Sequence, residues 1–66
     1  MKLREILEQS THSGTFKIYS KTNPMVLVMT KEQALSLLTQ ELLDTKAVDN
    51  GYALQNINIE LLEATL

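Results

Sequence analysis

Cysteine is absent from the chain, so neither a disulfide framework nor a thiolate metal site is open to it. Only two glycines occur, Gly14 and Gly51, and they stand far apart, which excludes a glycine-rich phosphate loop. The lone histidine, His12, lies in the polar stretch 10–14 with no Asp, Glu or Cys beside it. Catalytic metals need several ligands, so His12 reads as a solvated loop side chain rather than a general base or metal ligand. Ser10, Ser13, Ser20 and Ser36 have no recognisable base partner. Asp49-Asn50-Gly51 echoes a calcium loop but lacks the spaced acidic ligands and the closing Glu. These absences argue against an enzyme and against a bound cofactor. No apolar run approaches the ~20 residues of a membrane span. No signal-peptide core follows Met1-Lys2-Leu3-Arg4-Glu5. A cytoplasmic protein with no membrane partner is the expectation.

What is present is an ordinary globular composition, 44% hydrophobic and 21% charged, which argues against wholesale disorder. The net charge of −2 gives little general attraction to nucleic acid, although a local basic face survives such a balance. Sixty-six residues make one domain at most. A chain of this size buries only about 60% of the surface its unfolded form exposes, so self-association or a partner is a natural source of further stability.

The organising stretch is residues 24–43. Met25-Val26-Leu27-Val28-Met29 is an unbroken apolar run, read as a strand covered on both faces. A helix covers one face, and a second copy of the chain is a candidate for the other. Thr30 followed by Gln33 forms a capping-box signal for a helix over 31–43. Its apolar stripe is Ala34, Leu35, Leu38 and Leu42, widened by Leu37 and Leu43.

Upstream, Leu3, Ile6 and Leu7 recur with helical spacing and predict a short amphipathic helix over 2–9. Residues 15–21 alternate, with Phe16 and Ile18 on one face and Thr15, Lys17, Tyr19 and Lys21 on the other, as in a half-buried strand. The Lys17-Tyr19-Lys21 face is either a small phosphate-contacting patch or a solvated strand surface. Thr22-Asn23-Pro24 predicts the turn of an antiparallel hairpin. Asp49-Asn50-Gly51 predicts a second turn, closing the segment after the helix. In the tail, Ile57, Ile59 and Leu61 alternate with Asn58 and Glu60. That favours a strand over 55–62, although Leu54, Ile57, Leu61 and Leu62 also fit a helical face.

The order of these elements predicts a small single α+β domain: a short N-terminal helix, an antiparallel β-hairpin, an amphipathic helix, and a C-terminal strand or extended tail. Residues 1–48 form its helix-hairpin-helix core and 49–66 its strand or tail.

Over residues 2–43 the chain resembles the Phd/YefM antitoxin family. The resemblance is carried by Leu3-Arg4-Glu5-Ile6-Leu7, Lys17-Ile18-Tyr19-Ser20-Lys21-Thr22-Asn23, Val26-Leu27-Val28-Met29, and Thr30-Lys31-Glu32-Gln33 leading to Ser36-Leu37-Leu38. The family usually has a basic residue where Ser20 stands and an aromatic where Ala34 stands. The resemblance implies a homodimer, operator DNA bound by the N-terminal part, and a toxin neutralised by the C-terminal tail. It assigns DNA contacts to Arg4, Lys2 and Lys21, with Lys17 on the same strand face as Lys21. It assigns the toxin anchors to Tyr52, Leu54, Ile57, Ile59, Leu61 and Leu62. The alternative is a small inhibitor or accessory factor, virus- or plasmid-encoded, that binds another protein and no DNA.

Overall fold

A computed structural model describes residues 1–22 and 26–62. In chain order the elements are α1 (Leu3–Gln9), β1 (Thr15–Ser20), β2 (Val26–Thr30), α2 (Lys31–Leu37), α3 (Gln40–Leu43), β3 (Ala47–Ala53) and β4 (Asn56–Leu61). The strands form one mixed sheet in the order β2-β1-β4-β3. β1 pairs antiparallel with β2, β4 pairs antiparallel with β3, and the two hairpins join through a parallel β1–β4 contact. The α+β class holds, and the N-terminal helix, hairpin, helical segment and C-terminal strand come in the expected order, with an unexpected strand, β3, between the last two. The strand expected over 55–62 is β4, and it lies in the middle of the sheet. Asn23, Pro24 and Met25 of the expected turn and run lie outside the described residues.

The parity of the strands divides the sheet into two unlike faces. Phe16 and Ile18 of β1 and Ile59 and Leu61 of β4 are buried on one face. Leu3, Ile6 and Leu7 of α1, Ala34 of α2 and Leu43 of α3 join them in a single core, with Leu27, Met29, Leu35, Leu38, Leu42 and Ile57 packed around it. The opposite face carries no helix among the described residues.

α1 is held at its N-terminal end. The Glu5 carboxylate accepts the Lys2 backbone N–H at 2.8 Å, which satisfies one of the helix's open donors. Ala47 N–H donates to Met1 C=O at 2.7 Å and Leu3 N–H to Thr45 C=O at 2.9 Å, so the N-terminal residues extend the sheet beside the start of β3.

Three expectations change. The helix predicted over 31–43 is two helices. Thr30 and Gln33 do form the capping box of α2, but Leu38 is extended and Thr39 starts a new helix by accepting the Leu42 N–H at 3.2 Å. A Thr side chain competes for backbone donors and favours a cap over a helix interior, which makes a break here inexpensive. The break leaves Leu37 exposed and turns Leu43 inward.

Among the described residues the apolar run also lacks the double-sided cover expected for it. β2 is an edge strand, with Val26 48% and Val28 55% exposed on the open face.

The third change concerns Asp49-Asn50-Gly51, which forms a bulge inside β3 rather than a turn. Asp49 Oδ1 accepts the Gly51 N–H at 2.7 Å, and Gly51 has φ +90, a conformation glycine adopts without penalty. Before the bulge Ala47 faces Leu61, and after it Ala53 faces Asn56. The extra residue leaves Leu54 and Gln55 as a two-residue turn. Without it Ala53 would face Gln55 and only Leu54 would remain to reverse the chain.

Both turn residues have positive φ, 52 for Leu54 and 71 for Gln55, as a two-residue hairpin of this hand requires. Neither side chain suits that conformation. The double variant Leu54→Asn/Gln55→Gly is therefore expected to be more stable than the native chain by about 1–2 kcal/mol, the strain of two left-handed residues relieved. Urea denaturation measures it. Equal or lower stability would mean that the turn is not strained.

Candidate partner-binding surface

The open face is built from the outward positions of four strands. β1 contributes Thr15, Lys17 and Tyr19, and β4 contributes Asn56, Asn58 and Glu60 directly beside them. Val28 neighbours Lys17 and Val26 neighbours Tyr19 on the β2 side, while Val48 neighbours Glu60 on the β3 side. The face is tied together by polar bonds. Thr15 Oγ1 donates to Asn56 Oδ1 and pins the start of the parallel pair. Asn50 Nδ2 reaches both the Tyr19 hydroxyl at 2.6 Å and Glu60 Oε1 at 3.2 Å. Lys21 Nζ lies 3.7 Å from Glu60 Oε2. Asn58 Nδ2 donates toward the carbonyls of Gly51, Ala53 and Asn56, at 3.2, 3.4 and 3.3 Å.

The residues assigned to DNA contact fall in two places. Lys2 is the N-cap of α1 and Arg4 lies in its first turn, whereas Lys17 lies on the open face of β1 and Lys21 directly follows that strand, beside Glu60. The Arg4 guanidinium is engaged by Asp44 Oδ1 at 3.1 Å and by Gln40 Oε1, and so fastens α1 to α3. Ser20, where the antitoxin family usually has a basic residue, is turned inward at 8% exposure, and its hydroxyl lies 3.0 Å from that of Thr22. Ala34, where that family usually has an aromatic, is fully buried, so a larger side chain there would have to displace core neighbours.

The six residues assigned to partner contact also divide. Ile59 and Leu61 are fully committed to the core, and Ile57 packs against it. Leu62 is exposed at the far end of β4, 57%. Tyr52 and Leu54 stand together at the tip of the β3–β4 hairpin, 64% and 88% exposed. The bulge decides where Tyr52 goes. It brings Tyr52 opposite Ile57 on the helix-bearing face, where its ring meets His12 edge-on at 5.6 Å. His12 in turn stacks edge-on with Phe16 at 5.4 Å, and its Nε2 lies 3.2 Å from the Thr15 carbonyl. His12 is thus a half-buried packing residue rather than a solvated loop side chain. Gly14 makes room for it, since a Cβ there would sit 2.8 Å from His12 Nε2.

A cleft of about 170 Å³ lies among Met1, Ile6, Gln9, Ser10 and Asp49. It is smaller than the roughly 300–1,000 Å³ typical of small-molecule sites. Among the described residues no three His, Cys, Asp or Glu side chains are placed to hold a metal ion. No described helix is long and apolar enough to cross a membrane.

Sequence reasoning passed over Asn50 and Asn58 as organisers of the open face. The alternation of Asn56, Asn58 and Glu60 with Ile57, Ile59 and Leu61 was the available signal. Comparison with family models, curated proteins and solved structures finds no match to this chain.

The Arg4–Asp44 pair is partly exposed, 29% and 49% by side chain, so solvent screens it. Arg4→Ala is expected to lower stability by about 0.5 kcal/mol at low salt and by less at high salt. Denaturation at two ionic strengths tests this. A loss that does not change with salt would mean that Arg4 acts through packing alone.

Proposed function

We propose that this chain is a small protein-interaction module, acting as a homodimer, that engages another protein through the apolar tip of its C-terminal hairpin. The observation that carries the reading is Leu54. It is 88% exposed and held at positive φ, so neither core packing nor backbone preference accounts for a leucine there. A costly backbone conformation in an otherwise regular element is a pointer to function. An exposed leucine beside an exposed tyrosine is suited to filling an apolar pocket on a partner. Tyr52 is braced from behind by His12, which lowers the entropy lost when its ring is immobilised in a complex.

The partner is a toxin in the antitoxin reading and another target in the inhibitor or accessory reading. In either case the module works by occupying a surface. Three features favour the form that needs no DNA: Arg4 is bound to Asp44, Lys21 lies beside Glu60, and the two basic pairs stand on different layers.

Leu54→Asn introduces a side chain that tolerates positive φ and removes the apolar anchor. Proteins captured by the tagged native chain from an extract of its source cells are expected to be lost with Leu54→Asn, while circular dichroism stays native. Retention of the same proteins by the variant would contradict the role of the tip. Operator binding is checked separately by a shift assay with DNA from the gene's own promoter. Salt-sensitive retention weakened by Lys17→Ala and Lys21→Ala would restore the DNA-binding reading.

A further inference from the structure

The two edges of the sheet are unlike. The β3 edge is protected twice. Its beginning is covered by the N-terminal residues through the Met1–Ala47 and Leu3–Thr45 hydrogen bonds, and its remainder is broken by the bulge and carries Asp49. Coverage, bulges and inward or edge charges are the usual means by which a sheet blocks further strand pairing. The β2 edge has none of them. Val-Leu-Val-Met-Thr contains no charge, no glycine and no proline, its register with β1 is unbroken, and no strand lies outside it among the described residues.

We infer that β2 is the homodimer interface and pairs antiparallel with β2 of a second copy. This rests on the homodimer part of the reading above. The occupant follows from self-complementarity. Antiparallel pairing of identical strands is an isologous contact, closed by one two-fold axis perpendicular to the sheet. Such an axis keeps both helix layers on the same side and joins the two open faces. Directly opposed residues share a face, so Val26 and Val28 meet Val26 and Val28 of the copy, forming cross-strand β-branched pairs. Leu27 and Met29, only partly buried in one chain, receive the same cover on the helix side. No like charges are opposed anywhere along β2. The same operation on β3 would bring two copies of Asp49 together.

The cysteine-free sequence makes the test clean. Val26→Cys and Val28→Cys are made singly, with Val48→Cys as a control on the same face at the other edge; Val48 is 40% exposed. Each variant of the full chain, and an equimolar mixture of the first two, is oxidised after its mass has been measured by light scattering. The native chain is expected to run at twice the monomer mass. Val26→Cys, Val28→Cys or their mixture is expected to give a covalent dimer while Val48→Cys gives none. A dimeric mass with cross-linking only at Val48, at both edges, or at none of these positions overturns the β2 interface but leaves the homodimer standing. A monomeric mass across the concentration range overturns both.

Discussion

Residues 15–20 and 56–61 run side by side in parallel, and every other contact in the fold is arranged around that pairing. Phe16 lies beside Ile57, Ile18 beside Ile59 and Ser20 beside Leu61, and these positions present the apolar surface that all three helices cover. Parallel neighbours cannot be joined by a tight turn. The chain between them must cross from one hairpin to the other: β2 and β3 are the outer strands of the sheet, and α2 and α3 carry the chain between them across one face. The two antiparallel hairpins are local and form from near neighbours. The contact that unites them spans about 40 residues and is the entropically expensive step of folding.

Local patterns were readable and their assembly was not. The alternation of residues 15–21, the Thr30–Gln33 cap and the spacing of Leu3, Ile6 and Leu7 each depend on nearby residues, and each appears where expected. The break at Leu38–Thr39 escaped because the leucine stripe continues through it, and a hydrophobic period does not report a cap. The Asp49-Asn50-Gly51 signal was read as a turn, and the structure has a bulge inside β3 there. Whether such a signal makes a turn or a bulge depends on strand register, which is set by the distant need to seat Ile59 and Leu61 in the core. For the same reason half of the six apolar tail residues are consumed by the core, and only the tip and Leu62 remain outside.

That tip joins stability to proposed function. The bulge supplies the residue that makes a two-residue turn, puts Tyr52 against His12, and leaves a leucine where asparagine or glycine would be easier. The strain is local and borne by a hairpin whose other strand is the centre of the sheet. A rigid base under an exposed apolar tip is an arrangement suited to presenting a preformed anchor. The unprotected β2 edge lies at the opposite side of the sheet, so self-association there leaves the tip accessible.

The central claim is that the C-terminal strand is the middle of the fold rather than an appended tail. Amide hydrogen exchange of the full chain, followed residue by residue by NMR, tests it most directly. The amides of Ile59 and Leu61 are expected to be protected to the same level as those of Phe16 and Ile18, and all four to open only with global unfolding. Exchange of the β4 amides at a markedly lower free energy than those of β1 would contradict it.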